Sequence, residues 1–283
     1  MRFGIFEFRG PAPRGSTISH LGAPAAGNCA LFRLPGAGRP TTLARSVNPG
    51  PSSFSERLRE VRDRIESAAR RSGRKPAEVV LVGVVKGIVP ERVREAVDAG
   101  LRDLGENRVQ EAETKIERVG RHETRWHMVG HLQRNKAARA VDLFDRVHSV
   151  DSVELAEALA RRSAGAGIRL PVLIQVNVSA EATKHGAAPD SLEPLATRIL
   201  RLPGLELDGL MSIGPPVERP EDARPYFAHT RELRDGLVRR CGAALPQLSM
   251  GMSADFEVAV EEGSTLVRLG AALFGPRAPG GKA

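Results

Sequence analysis

The sequence predicts a single (β/α)₈ barrel, an α/β fold in which eight parallel strands close into a ring inside a shell of helices. From residue 79 onward, apolar strand-like segments alternate with helical patterns, which is typical of a parallel sheet with right-handed crossovers. Eight such segments fit a closed barrel of roughly 200 residues or more. The first segment, from Val79 to Val85, is apolar without alternation, as strands covered on both faces are.

The expected strands follow one another at short intervals, with helical patterns between most of them. They are expected near residues 79–86, 103–107, 125–130, 146–150, 170–178, 205–213, 247–252 and 265–269. A helix should precede them, because Ser53 and Glu56 have the spacing of a capping box. An open doubly wound sheet is the alternative fold, but it calls for a G-x-G-x-x-G turn that the residues after Lys86 do not provide.

The domain organisation follows from composition. We expect residues 1–52 to form a disordered N-terminal extension, residues 53–277 the barrel, and residues 278–283 a flexible tail. The extension is rich in glycine, proline and serine and lacks periodicity, which is typical of disorder. Its preferred interpretation is an upstream translation start or a dispensable tail, and an organellar transit peptide is the alternative.

Charge and cysteine content argue against several classes of partner. The net charge is +8, but the first 50 residues hold six arginines against one glutamate, which leaves +3 for the rest of the chain. No apolar run approaches the roughly 18 residues of a membrane-spanning helix. Cys29 and Cys241 match no disulfide framework or metal-ligand spacing. We therefore expect a cytoplasmic protein that binds no nucleic acid, membrane or metal.

Lys86 stands at the end of the first apolar strand, where barrel folds place their chemistry. Desolvation favours the neutral form of an amine, and a neutral amine condenses with an aldehyde to form a Schiff base. The plainer interpretation is that the side chain extends past the apolar rim to reach water. The sequence favours a nucleophile because other polar residues converge on the same ends of the predicted strands.

The candidate residues for cofactor binding lie at or just after the predicted strand ends. They are Lys86, Asn107, His131, Met211, Ser212, Ser253, Arg268 and Gly270. Taken singly, Asn107 or Ser253 could cap a helix, and His127 could be a satisfied core histidine. Gly251, Ser253 and Gly270 resemble the phosphate site that barrels form after their last two strands, although ordinary turn chemistry also explains them. Together with Lys86, they suit a phosphorylated aldehyde cofactor.

Four segments carry a resemblance to a known family. They are VVK at 84–86, GENRVQE at 105–111, WHMVGHLQRNK at 126–136 and LSMGMSAD at 248–255. Over residues 54–277 the chain resembles the pyridoxal phosphate homeostasis proteins, which have the fold of the alanine racemase N-terminal barrel. The resemblance implies that Lys86 holds pyridoxal 5′-phosphate (PLP) as a Schiff base. It also implies that Ser253 and Gly270 bind the phosphate and that Arg268 approaches the pyridine nitrogen.

The chain departs from the family pattern at three places. Val85 replaces the usual serine or threonine before the lysine, Ala271 replaces a frequent threonine or serine, and the long leader lies outside the family's usual extent. The first two departures each remove a side-chain hydroxyl near the cofactor. They bear on cofactor affinity and leave the predicted fold unchanged.

The function expected from the resemblance is intracellular PLP homeostasis by a non-catalytic, monomeric carrier or regulator, with PLP-dependent apo-enzymes as candidate recipients. A PLP-dependent amino-acid racemase is the alternative. It needs a second base, normally a tyrosine from an added β-domain that we do not expect here, and the only tyrosine, Tyr226, falls in a helical segment. An arginine on the ring nitrogen also weakens the electron sink that racemisation requires. A Schiff-base aldolase, with Lys86 acting on substrate, is a third possibility.

Overall fold

The computed structural model describes residues 53–179, 181 and 185–275, and it confirms the barrel. The strands pair in parallel in chain order, and the last pairs with the first, so the sheet closes without edges. They are β1 (Val80–Val84), β2 (Asp103–Glu106), β3 (Arg125–Met128), β4 (Arg146–Val150), β5 (Leu170–Val176), β6 (Leu205–Ser212), β7 (Gln247–Ser249) and β8 (Leu266–Leu269). The predicted extension at residues 1–52 and the tail at 278–283 lie outside the described residues and stay predictions.

The helices cover the outer face of the barrel. They are α1 (Phe54–Arg71), α2 (Pro90–Asp98), α3 (Val109–Val119), α4 (Ala137–Leu143), α5 (Val153–Gly165), α6 (Leu192–Leu200), α7 (Arg224–Cys241), α8 (Phe256–Glu261) and α9 (Ala271–Phe274). Each lies between two strands except α1, which precedes β1, and α9, which follows β8. None of the helices in the described ranges is long and apolar enough to cross a bilayer.

Several strands are shorter than the sequence predicts. β1 ends at Val84 instead of residue 86, β3 at Met128 instead of residue 130, and β7 at Ser249 instead of residue 252. In each case the chain leaves the ladder for a turn that carries candidate site residues. Apolar or glycine-rich composition continues past the last paired residue, so the sequence pattern alone overestimates these strands.

The main hydrophobic core lies between the sheet and the helices. In α1 the buried residues Phe54, Leu58, Val61, Ile65 and Ala68 recur at helical spacing and form one apolar face. A second, smaller apolar cluster consists of Val82, Leu173, Met211 and Leu266, which come from β1, β5, β6 and β8. Because these four side chains group with one another and not with the helices, they fill part of the barrel interior.

The first helix begins with the predicted capping box. The Ser53 hydroxyl accepts a hydrogen bond from the Glu56 N–H at 3.2 Å, and the Glu56 carboxylate accepts one from the Ser53 N–H at 2.8 Å. These bonds satisfy two N–H groups that have no partner within the helix. They fix the start of α1 and thereby the position of Phe54 in the core.

We expect Ser53→Ala to lower the free energy of unfolding by about 1 kcal/mol, because the N-cap acceptor is lost. Urea unfolding monitored by circular dichroism measures the change. Ser55→Ala is the matched control, since Ser55 is exposed within α1 and alanine favours helix there. Equal loss of stability in both variants would contradict the capping account.

Candidate functional site

Lys86 lies in a turn directly after β1 and is half-buried. The preceding residue, Val85, is fixed through its backbone: its N–H donates to the Gly105 carbonyl at 2.9 Å, and its carbonyl accepts from Lys115 Nζ at 2.6 Å. The Gly87 N–H donates to the Glu111 carboxylate at 3.3 Å. The backbone on both sides of Lys86 is therefore tied to β2 and α3.

A buried ion pair between Lys115 and Glu106 holds this turn in place. Lys115 in α3 contacts the carboxylate of Glu106, whose side chain is fully buried at the end of β2. Burial raises the pKa of Glu106, and the Lys115 charge opposes that effect. The other Glu106 oxygen accepts from the Asn107 N–H at 3.0 Å. One carboxylate thus joins the ends of β1 and β2 through Lys115 and Asn107.

Asn107 and His131, two of the predicted residues, meet at a cavity of about 360 Å³ between the ends of β2 and β3. Gly130 makes their approach possible, since a Cβ there would lie 2.5 Å from the Asn107 carbonyl oxygen. Arg108 and Lys136 also line the cavity, which gives it a basic rim. Lys86 does not line it, so this cavity adjoins the predicted cofactor position without containing its lysine.

Ser253 and Gly270 come together at the start of α9. The Ser253 hydroxyl accepts a hydrogen bond from the Ala272 N–H at 3.1 Å, while Gly270 occupies the N-cap position of that helix. A Cβ on Gly270 would lie 3.5 Å from the Val84 carbonyl, which places this turn beside the end of β1. Gly251 has a φ of +91°, where a side chain would be strained and would contact Ala259. The predicted phosphate residues therefore lie next to the Lys86 turn.

Met211 and Ser212 end β6, but their side chains point to different places. Met211 is fully buried in the small apolar cluster inside the barrel. The Ser212 hydroxyl lies 2.9 Å from the Thr230 hydroxyl of α7, whereas the Ser212 carbonyl accepts a hydrogen bond from Arg268. In this arrangement Ser212 is linked to the predicted site through its backbone.

Arg268 points into the barrel and is only 5% exposed. Its guanidinium donates to the Ser249 hydroxyl at 2.6 Å and to the Ser212 carbonyl at 2.9 Å. Burial lowers the pKa of Arg268 to about 10, and the negative charge of Asp255 opposes this effect. The side chain therefore keeps its positive charge at neutral pH.

A chain of buried polar groups continues from Ser249 through the barrel interior. The Ser249 hydroxyl lies 2.9 Å from Nδ1 of His148, whose Nε2 lies 2.9 Å from Nδ1 of His127. Nε2 of His127 lies 3.0 Å from Asp103, which also accepts two hydrogen bonds of 2.7 Å from Arg125. Asp103 and Arg125 begin β2 and β3, so the chain runs from the carboxyl end of the barrel to its amino end.

Burial dominates the electrostatics of this chain. Burial lowers the pKa of His127 against the opposing effect of Asp103, and burial together with nearby positive charges lowers the pKa of His148 well below its usual range. Desolvation raises the pKa of Asp103, but the hydrogen bonds from His127 and Arg125 outweigh it and bring that pKa to about 2. At neutral pH the chain therefore holds two neutral imidazoles between a cation and an anion.

Two histidines and one aspartate also cluster on the outer side of the mouth. The ligand atoms of His131, Asp151 and His185 lie within 4.8 Å of one another. The His131 and His185 rings, however, are stacked with centroids 3.9 Å apart and planes 8° apart. Imidazole lone pairs lie in the ring plane, so one ion cannot meet both stacked rings unless a ring turns. The prediction of no metal site stays a prediction.

Comparison with known proteins agrees with this architecture. The family model "Alanine racemase, N-terminal domain" matches residues 57–278. The Pyridoxal phosphate homeostasis proteins of Aquifex aeolicus and Pseudomonas aeruginosa are 46% and 43% identical, over 78% and 80% of this chain and 97% and 96% of theirs. The solved structure of PipY from Synechococcus elongatus with PLP bound is 35% identical, with a TM-score of 0.71 over 79% of this chain and 100% of that one.

The chain belongs to the pyridoxal phosphate homeostasis proteins. Family resemblance accounts for Lys86, Ser253, Gly270 and Arg268, but it does not by itself indicate the polar chain beneath Arg268. The sequence left a satisfied core histidine as one interpretation of His127, and in the structure His127 is buried with a partner at each ring nitrogen. The sequence analysis overlooked His148 and Asp103. The available signal was the placement of polar side chains at alternate positions of short, otherwise buried strands, such as Arg146 and His148 in β4.

The neutral histidines predict how stability depends on pH in this family member. Below about pH 6.5 the unfolded chain takes up protons that the buried imidazoles do not, so the free energy of unfolding should fall by up to about 1.4 kcal/mol per pH unit for each histidine. Asp103 contributes little between pH 7 and pH 5, because both its pKa of about 2 in the folded protein and its ordinary pKa of about 3.9 in the unfolded chain lie below that range. Above pH 6.5 the contribution of both histidines is complete.

Urea unfolding of the cofactor-free protein at pH 7 and pH 5 measures this effect. The double variant His127→Gln/His148→Gln should lose less stability between the two pH values than the unmodified protein does. His229→Gln is the control, since His229 is exposed on α7. The same pH dependence in the unmodified protein and the double variant would show that the two imidazoles are not held neutral.

Proposed function

We propose that this protein binds PLP through a Schiff base with Lys86 and acts in intracellular PLP homeostasis as a carrier or regulator. The observation that carries the proposal is the position of Lys86 in an anchored turn beside Ser253 and Gly270, in a barrel that matches the whole length of PLP-bound PipY. The names of the homologous proteins from Aquifex aeolicus and Pseudomonas aeruginosa support it.

The donors in the mouth fit the chemical groups of PLP. Its aldehyde supplies the carbon with which an amine condenses, and Lys86 is the amine of the anchored turn. The Ser253 hydroxyl and the backbone at Gly270, which meet at the start of α9, are proposed to bind the phosphate. Arg268 offers a permanently protonated donor for the pyridine nitrogen, since a guanidinium cannot give up its proton near neutral pH. Asn107 and His131 are proposed to border the cofactor on the β2 and β3 side.

A non-catalytic role fits the same geometry better than racemisation does. Arg268 is a donor only, so it keeps the ring nitrogen unprotonated and weakens the electron sink on which carbanion chemistry depends. Racemisation also needs a base on each face of the substrate. Tyr226 lies in the first turn of α7, where its carbonyl accepts from Thr230, and α7 covers the outside of the barrel. We propose PLP-dependent apo-enzymes of the cytoplasm as recipients of the cofactor from a monomeric protein.

Replacing Lys86 tests the attachment point. After incubation with PLP and reduction by borohydride, peptide mapping should find the pyridoxyl adduct on Lys86, and Lys86→Ala should lose both the adduct and the visible absorption band. Lys136→Ala is the matched control, because Lys136 lies in the neighbouring basic cavity and should leave the band intact. An adduct on another lysine, with Lys86→Ala still coloured, would refute the assignment.

Racemase activity tests the non-catalytic interpretation. With alanine as substrate, the loss of optical rotation in the presence of the PLP-loaded protein should match the rate with free PLP at the same concentration. The physical reason is the lack of an electron sink at a nitrogen bound to Arg268. Turnover near or above about 1 s⁻¹, the lower edge of ordinary enzyme rates, would restore the racemase alternative.

A further inference from the structure

We propose that His148 and His127 are positioning residues for the cofactor: through Ser249 they fix the guanidinium of Arg268 and direct it toward the pyridine nitrogen. The proposal rests on the proposed function, in which Arg268 meets that nitrogen. It concerns residues deep inside the barrel that do not themselves touch the cofactor.

The two ends of this row of buried polar groups, Arg268 and Asp103, determine the direction of every hydrogen bond in the row. Arg268 can only donate, and an ionised Asp103 can only accept. His127 must therefore donate from Nε2 to Asp103, which leaves its Nδ1 as an acceptor. His148 in turn must donate from Nε2 to His127 and accept at Nδ1 from the Ser249 hydroxyl. The Ser249 oxygen is then free to accept from Arg268.

All of these hydrogen bonds can form together only when both histidines are neutral. Each neutral imidazole has one donor and one acceptor, and the chain uses both. A proton added to either ring would set two N–H groups, or an N–H and an O–H group, against each other. The lowered pKa values of both imidazoles agree with this requirement. The result is a row of aligned dipoles whose donor hydrogens all point toward the Asp103 carboxylate and whose acceptor lone pairs all face the Arg268 cation.

The row of hydrogen-bonded side chains orients Arg268 and does not carry protons away from it. A proton moving along the row toward Asp103 would have to leave the guanidinium, whose pKa is about 10. The Ser249 bond and the Ser212 carbonyl hold two different nitrogens of the planar guanidinium, which fixes both its position and its plane. Without Ser249 held in place by His148, only the Ser212 bond would remain of this pair.

The packing of the barrel interior indicates that the row of buried polar groups has a functional role. The same barrel interior accommodates the apolar cluster of Val82, Leu173, Met211 and Leu266, so apolar filling is possible there. Buried polar groups lose hydration and stabilise a fold only when every partner is present. The polar row spans the interior from β8 to β2 and gives every imidazole nitrogen a partner. The need to hold the buried Arg268 cation in one orientation explains why such a row is present.

The test compares PLP binding by His148→Phe with binding by the unmodified protein. Phenylalanine nearly matches the size of histidine but can neither accept from Ser249 nor donate to His127. We expect the dissociation constant for PLP to rise roughly tenfold, the effect of losing one hydrogen bond to a charged group. The absorption maximum of the bound cofactor should also shift, because its nitrogen loses a fixed donor. The exposed His229→Phe should change neither quantity.

A double-mutant cycle separates positioning from a general loss of structure. If His148 acts through Arg268, then His148→Phe should have little further effect on PLP binding in an Arg268→Lys background. An equal rise of the dissociation constant in both backgrounds, or no rise in the unmodified background, would overturn the proposal. His148→Gln, which retains a donor and an acceptor, should recover much of the affinity and the original absorption maximum.

Asp103→Asn provides a second variant in case His148→Phe does not fold. It preserves shape and removes the charge at the far end of the chain, four residues or about 13 Å along β2 from Asn107. A smaller rise of the dissociation constant is expected, and an unchanged constant would contradict the proposal. Borohydride labelling of Lys86 in the unmodified protein keeps the two questions apart: if it fails, the proposed function fails, and if it succeeds, the variants test the chain alone.

Discussion

The burial of one positive charge, that of Arg268, is the constraint on which the interior of this barrel depends. A guanidinium does not neutralise itself at physiological pH, and taking it out of water is unfavourable unless its hydrogen bonds are made inside the protein. The barrel makes them with a backbone carbonyl of β6 and a hydroxyl of β7. The hydroxyl then needs an acceptor of its own, and each acceptor needs the next, until the row ends at the carboxylate of Asp103.

This row divides the barrel interior into two parts. One part is the apolar cluster from β1, β5, β6 and β8, and the other is the polar row that joins β8 to β7, β4, β3 and β2. Because strands in a closed barrel cannot slip singly, the register that aligns the row also sets where each strand ends at the mouth. The positions of Lys86, Ser253 and Gly270 follow from those ends, so the proposed cofactor site and the polar interior are parts of one arrangement.

Much of the fold could be predicted from the sequence, because it depends on local sequence patterns. Alternation of strands and helices predicted the barrel, and Ser53 with Glu56 predicted the first cap. The polar row was not predicted, since His148 and Asp103 are single residues in strands of four or five, and their inward direction is set by the closed register. The pairing of Lys115 with Glu106 was also missed, because it depends on how α3 packs against β2. Strand ends were overestimated where apolar residues continue into turns.

In the proposed site a fixed, permanently protonated donor, Arg268, meets the cofactor's ring nitrogen. Nitrogen NMR of the protein loaded with PLP that carries ¹⁵N in the pyridine ring measures the protonation of that atom directly. We expect the chemical shift of an unprotonated, hydrogen-bonded pyridine nitrogen, constant across the neutral pH range, and we expect Arg268→Glu to move this shift toward the pyridinium value. A pyridinium shift in the unmodified protein at neutral pH would show that Arg268 does not keep the ring nitrogen unprotonated.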